Sequence, residues 1–218
     1  MTDAPFADRT FAAVIFDNDG TLVDSTGSVT RSWVRWAQEH DVDPRRLSGF
    51  HGVPAAAIIE AVAPEVDAEA AFARIEALEI ADVDDVVALP GVLAAVADLA
   101  GAPVAVATSA TRGLARVRLE SAGIEIDEVV TIEDVERGKP APDPFVEAAR
   151  RLGVAPEECL VCEDAPSGVA AAKAAGCAVL AVTTTTPASE LTGADLVVEA
   201  LDGVSFVVED GRVRVSAR

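Results

Sequence analysis

Two carboxylates stand one residue apart where an apolar run ends: Asp17 and Asp19, in Val14-Ile15-Phe16-Asp17-Asn18-Asp19-Gly20-Thr21. On a strand, residues i and i+2 share a face, so both acids would project together from its C-terminal end. Like charges so close are costly unless a cation or a shared proton relieves them. That cost makes the pair a candidate catalytic and metal-binding site. Asp, Asn and Gly also favour turns, so the pair alone is equally consistent with an Asx-rich turn after a strand.

Three more segments carry polar groups that a buried core does not need. Thr108 and Ser109 follow Val104-Ala105-Val106-Ala107. Lys139 sits in Arg137-Gly138-Lys139-Pro140, shortly after the apolar stretch 128–131. Glu163 and Asp164 end Leu160-Val161-Cys162 and precede Ala165-Pro166-Ser167-Gly168. Singly these read as a helix N-cap, a surface lysine and a solvated loop. Together they are four carboxylates, one ammonium and two hydroxyls. Hard oxygen ligands from two segments suit Mg²⁺. A lysine and a helix start suit a phosphate. An aspartate beside Mg²⁺ can attack phosphorus and form an aspartyl-phosphate.

The elements that must position these groups follow from periodicity. Between about 28 and 86 the spacing is helical: Val29, Trp33, Trp36 and Ala37 recur on one face, as do Ile58, Ile59 and Val62, and 68–80 forms a third helix. From Leu89 onward strands and helices alternate. Strands are expected at 104–107, 128–131, 160–163, 179–182 and 196–198, with helices at 112–122, 144–152, 167–175 and a short one at 188–191. That alternation predicts an α/β fold, a doubly wound (Rossmann-like) parallel sheet covered on both faces. The end, 204–208 and 212–215 around Glu209-Asp210-Gly211, reads as a hairpin with an Asp-Gly turn. The expected organisation is a core of residues 1–24 and 89–218 with an inserted α-helical cap of 25–88. An insert after the first strand would sit above the two aspartates, the position of a lid.

Composition narrows the partners. The 218 residues carry 37 acids against 17 bases, a formal charge of −20. Such a surface repels nucleic acid and anionic membrane, so neither is expected as a partner. It would repel an anionic substrate too, so a site for one needs local positive charge; Lys139 and Lys173 are the only lysines. No apolar segment is long enough to span a bilayer, and residues 1–10 have no leader pattern. Cys159, Cys162 and Cys177 are an odd number in apolar surroundings, which fits a reducing compartment. A soluble, cytoplasmic monomer acting on a small molecule is expected. Cys159 and Cys162 look redox-like, but three residues apart on a strand places them on opposite faces, as core packing.

With these segments in view the chain resembles the haloacid dehalogenase-like hydrolase superfamily, in the branch with a helical cap inserted after the first strand. The resemblance is carried by Phe16 through Ser25, Ala107-Thr108-Ser109, Gly138-Lys139-Pro140, and Cys162 through Gly168, and runs from about Thr10 to Val198. It implies that Asp17 is the nucleophile and that Asp19 protonates the leaving alcohol, then activates water. It implies Mg²⁺ on the Asp17 carboxylate, the Asp19 main-chain carbonyl and Asp164, with Glu163 close by or ligating. Thr108, the Ser109 amide and Lys139 would bind the phosphoryl oxygens.

The superfamily hosts several chemistries, so the fold alone does not choose among them. Dehalogenases of this kind lack the second aspartate, present here as Asp19. Phosphonatases use a cap lysine, and 25–88 contains none. The β-phosphoglucomutase pattern has a cap histidine, near where Val29 stands, and a cap lysine. The resemblance therefore implies hydrolysis of phosphomonoesters, with a phosphosugar mutase as the alternative. Phe50-His51-Gly52 resembles the cap loop of the glycerol-phosphate and sugar-phosphate phosphatases, which makes His51 a candidate for touching substrate hydroxyls. Trp33 and Trp36 read as the core of the cap.

Overall fold

The computed structural model describes residues 6, 9–47 and 53–218. In chain order the elements begin with β1 (Thr10–Phe11), β2 (Ala13–Phe16) and β3 (Val23–Asp24), followed by the helices α1 (Thr26–Glu39), α2 (Ala55–Val62) and α3 (Ala68–Ala81). Next come β4 (Val87–Ala88), α4 (Val92–Asp98), β5 (Val104–Ala107), α5 (Arg112–Ser121), β6 (Glu128–Val130) and α6 (Asp143–Leu152). The remainder is β7 (Cys159–Glu163), α7 (Pro166–Ala175), β8 (Ala178–Val182), β9 (Leu196–Val198), β10 (Val204–Glu209) and β11 (Arg212–Ala217).

Six strands form one parallel sheet in the order β6-β5-β2-β7-β8-β9. Its strands alternate between two buried faces, as valine- and alanine-rich strands covered on both sides must. Val14, Phe16, Val106, Leu160 and Cys162 enter one hydrophobic cluster. Ala13, Ile15, Ala105, Cys159 and Val161 enter the other. Cys159 and Cys162 thus lie on opposite faces, as their spacing requires. The chain leaves β2 for β5 on one side and later returns to β7 on the other, so β2 is the switch point. Ligands of open α/β sheets bind in the crevice at such a point, outside the strands' C-terminal ends.

The helices α1, α2 and α3 build a third cluster, with Trp33, Trp36, Ile58, Ile59, Ile75 and Leu78 at its centre. Trp36 is fully buried and its indole Nε1 donates to the Ala71 carbonyl at 2.9 Å. Asp67 caps α3, its carboxylate accepting from the Glu69 and Ala70 amides. The chain enters and leaves these helices through β3 and β4, which pair antiparallel as a narrow neck.

The hairpin β10–β11 turns at Asp210 and Gly211, both at positive φ (50 and 74°), as an Asp-Gly turn demands. It extends by pairing β11 with β1, and Phe206 meets Phe16 edge-on at 6.5 Å, so the hairpin covers one face of the sheet. The short elements β1, β3, β4 and α4 are additions to what the periodicity of the sequence indicates.

Candidate active site

The loop after β2 is built around one acceptor and one glycine. The main-chain oxygen of Asn18 accepts from the Thr21, Leu22 and Val23 amides, folding 17–23 into a tight turn. Gly20 adopts φ +90°, and a Cβ there would lie 2.2 Å from Asp164 Oδ2. Only glycine meets both demands. The turn sets Asp17 and Asp19 on different jobs rather than side by side on one partner.

Asp17 faces Lys139. The ammonium Nζ donates to Asp17 Oδ1 at 2.6 Å and to Glu163 Oε1 at 2.7 Å. Its side chain is 5% exposed, and Nζ lies 5.1 Å above the Phe145 ring centre. Glu163 spends its other oxygen at the start of α7, where Oε2 accepts from the Asp164 and Ala165 amides at 2.8 Å each. Glu163 therefore anchors the lysine as well as lending charge. Asp164 is held by the Thr21 hydroxyl, at 3.3 Å, and by that of Thr185.

The electrostatics are strained in one direction. Burial pushes the Asp17 carboxyl well above the ordinary carboxylate range; Lys139 opposes this, while Glu163 and Asp164 add to it. Burial, reinforced by Glu163, lifts Asp164 to about 7 against the Thr185 hydroxyl and Lys139. For Lys139, burial disfavours the charge, but Asp17 and Glu163 outweigh it and hold the ammonium above the ordinary lysine value. Three buried carboxylates around one ammonium leave an excess of negative charge.

Asp17, Glu163 and Asp164 each offer a carboxylate oxygen, all within 4.8 Å of one another. All-oxygen donors carrying surplus negative charge fit a hard divalent cation such as Mg²⁺. Its charge would offset the burial, and the smaller mutual repulsion, that lift Asp17 and Asp164.

Asp19 is engaged elsewhere. Its Oδ1 accepts from the Ser25 hydroxyl at 2.6 Å and pairs with Arg118 Nη1 at 2.9 Å. Asn18 Nδ2 donates to its Oδ2 at 3.2 Å. Thr108 follows β5, its Oγ1 accepting from the Ala110 amide at 3.1 Å, and Ser109 borders the same cavity. Arg112 turns away to pair with Asp134 at 2.5 Å. His51 lies outside the described residues.

These groups floor a cavity of about 770 Å³. Its opposite wall comes from the inserted helices and is mainly apolar, with Val29, Trp33, Ile58, Phe72 and Ile75, interrupted by Glu76 and Glu79 of α3. Trp33 therefore lines the cavity while also belonging to the cluster of α1–α3. Two polar bridges cross from α3 to the sheet side: Thr111 donates to Glu76, and Arg118 Nη2 lies 3.6 Å from Glu79 Oε1.

The sequence alone assigns no role to Thr21 and Ser25, which lie within the segment 16–25, or to Thr185, Glu79 and Arg118. For Arg118 a signal exists. It falls in the buried stripe Leu114, Ala115, Arg118, Leu119 of α5, and an arginine in an apolar stripe requires a partner.

A parallel sheet with acids, hydroxyls and a lysine at its switch point, walled by inserted helices, defines a capped α/β hydrolase. The family model described as haloacid dehalogenase-like hydrolase matches residues 11–176, and the chain belongs to that family. It is 42% identical to hexitol phosphatase A of Escherichia coli over 88% of this chain and 92% of that one. It is 34% identical to a fructose-1-phosphate phosphatase of the same organism, over 76% of this chain and 93% of that protein. A crystal structure of a putative β-phosphoglucomutase from Thermotoga maritima superposes with a TM-score of 0.69 at 28% identity, covering 87% of this chain and 95% of that one. No helix among the described residues is long and apolar enough to cross a membrane.

Proposed function

We propose that this enzyme hydrolyses small phosphomonoesters of the sugar- or polyol-phosphate type, through phosphoryl transfer to Asp17 and then to water. The observation that carries the reading is the buried Lys139 ammonium bridging Asp17 and Glu163 at the ends of β2 and β7. Hexitol phosphatase A and the fructose-1-phosphate phosphatase bear names of that substrate class, and we extend it to this chain.

Asp17, Asp164 and the Asp19 main-chain carbonyl would hold Mg²⁺. When bound, that ion supplies positive charge to offset the charge on the phosphoryl oxygens. Lys139 orients Asp17 and offers the same oxygens a fixed cation. The Thr108 hydroxyl and the Ser109 amide receive the remaining oxygens. A carboxylate oxygen of Asp17 forms a bond to phosphorus as the bond to the leaving alcohol breaks, and Asp19 gives that alcohol its proton. Water then attacks phosphorus, passing a proton to Asp19, and the bond to Asp17 breaks to free phosphate. Residues 25–88 act as the cap over a core of 1–24 and 89–218, excluding bulk water during the transfer.

Hydrolysis of para-nitrophenyl phosphate with Mg²⁺ tests this reading. Asp17→Asn is expected to lower kcat by about 10³-fold or more, since a group acting as nucleophile has no substitute. Activity that survives the substitution, or wild-type protein that hydrolyses nothing, would sink it. Residues 25–88 hold no lysine, which weighs against the phosphosugar mutase alternative. Isomerisation of a hexose phosphate dependent on a bisphosphate would favour that alternative instead.

A further inference from the structure

Four consecutive threonines, Thr183 to Thr186, follow β8, and the reaction above uses none of them. Strand β8 pairs with β7, so this loop arrives beside the acids that end β7. Of the three clustered carboxylates, Asp17 and Glu163 are fixed by the Lys139 ammonium at 2.6 and 2.7 Å. Glu163 has two main-chain amides as well. Asp164 has neither. Buried at 2% exposure, its carboxylate is bonded by hydroxyls alone among the described residues. Thr21 reaches Oδ1 only at 3.3 Å, long for such a bond, which leaves Thr185 on Oδ2 as the main hold. The same loop grips the turn after β2. Thr184 donates to the Gly20 carbonyl, and a Cβ at Gly20 would lie 2.8 Å from Thr185 Cγ2. The Gly20 amide, which donates to the Val23 carbonyl at 2.9 Å, shares a peptide plane with the Asp19 carbonyl.

We propose that Thr185, with Thr184 beside it, is the clamp that aims the Asp164 carboxylate at the divalent cation. This rests on the phosphatase reading, which places Mg²⁺ on Asp17, Asp164 and the Asp19 carbonyl, and adds the residues that orient two of those three. Thr185 acts through Asp164 and is a positioning residue. A carboxylate beside two others is pushed away from them, and it must be turned towards them to share one ion. A donor on Oδ2 resists that push. A hydroxyl suits the task better than a second ammonium would, because it brings no net charge to compete with the cation. It spends one proton on one oxygen and leaves the carboxylate with lone pairs for a metal. Partners that orient a ligating carboxylate in this way are worth about 10–100-fold in metal affinity.

The test titrates Mn²⁺, which takes the same oxygen ligands, into substrate-free wild type, Thr185→Val and Thr185→Ser, reading free Mn²⁺ by electron paramagnetic resonance. Valine keeps the branched shape over Gly20 and loses the hydroxyl; serine does the opposite. The Mn²⁺ dissociation constant is expected to rise about 10-fold in T185V and to return close to wild type in T185S. The Mg²⁺ concentration that half-saturates nitrophenyl phosphate hydrolysis should rise in step. A threonine that only packs would lower the urea midpoint of the metal-free protein and leave the constant alone. Wild-type Mn²⁺ affinity in T185V therefore overturns the proposal, and so does a T185S constant as weak as that of T185V. Should T185V fail to fold, Thr185→Ala set against T185S isolates the same hydroxyl, and equal constants overturn it. Wild type that hydrolyses nitrophenyl phosphate while the variants bind Mn²⁺ unchanged leaves the phosphatase reading standing and removes this one. Wild type that binds Mn²⁺ yet hydrolyses nothing removes the phosphatase reading, and the constants still decide the clamp. Wild type that binds no Mn²⁺ overturns the clamp.

Discussion

Gly113 and Gly168 both stand inside helices, α5 and α7, yet a methyl group would have opposite effects at the two. At Gly113 an added Cβ meets only Ile80 Cδ1, at 3.5 Å, an ordinary contact. At Gly168 it would fall 1.6 Å from Glu163 Oε1 and 2.0 Å from Cδ. The carboxylate must leave, and with it go the bonds to the Asp164 and Ala165 amides and to Lys139. Gly113→Ala should therefore stabilise the protein by roughly 0.5–1 kcal/mol through helix propensity, without loss of activity. Gly168→Ala should lower kcat by about 10²-fold, because Lys139 and Asp17 lose their alignment. Urea midpoints and nitrophenyl phosphate kinetics on both variants check this, and equal behaviour of the pair would refute it. Types and order along the chain point to Glu163 as part of the site. Its job as the anchor of Lys139 does not follow from sequence, since that depends on a lysine 24 residues away and on how α7 starts. Arg118 is half-legible: its place in the stripe Leu114, Ala115, Arg118, Leu119 demands a partner, but that the partners are Asp19 and Glu79 shows only once α3 is seen beside it.

At the scale of elements, the inserted helices carry their own core. Trp36 anchors it, fully buried, bonded to the Ala71 carbonyl, set edge-on to Trp33 at 5.4 Å and stacked on His40 at 4.2 Å. Trp36→Ala should cost about 3–5 kcal/mol by opening a cavity. Trp36→Phe keeps most of the volume and loses the indole bond, so about 1–2 kcal/mol is expected. Equal losses in urea denaturation would mean that the hydrogen bond, not the packing, holds α1 to α3. The helices of this core are legible in sequence because Trp33, Trp36 and Ala37 recur at helical spacing. Helix α4 is not, since Val92 to Ala97 is apolar at every position and shows no period. Strands β1, β3 and β4 span two residues each, too few for a pattern. They exist because distant segments meet: β1 with β11, and β3 with β4 across the whole insert.

At the scale of the molecule, the field opposes the substrate. The chain carries a formal charge of −20. Within the cavity wall the acids Asp17, Asp19, Glu76, Glu79, Glu163 and Asp164 face only Lys139 and Arg118 among the described residues. A phosphomonoester dianion therefore approaches uphill and finds attraction only at contact. Long-range repulsion between exposed charges is screened by salt, whereas contacts within a buried site are screened far less. Raising ionic strength from about 10 to 150 mM shortens the screening length from about 30 to 8 Å, which removes most of the uphill path. At constant, saturating Mg²⁺, kcat/KM should thus rise with added KCl by about 2–10-fold, and kcat should stay flat because the transfer happens beneath the cap. Enzymes whose surfaces steer anions inward show the reverse slope. A fall in kcat/KM with salt would mean that Lys139 and Arg118 govern the approach as well as the contact. The acidic surface would then have no part in setting the rate of encounter.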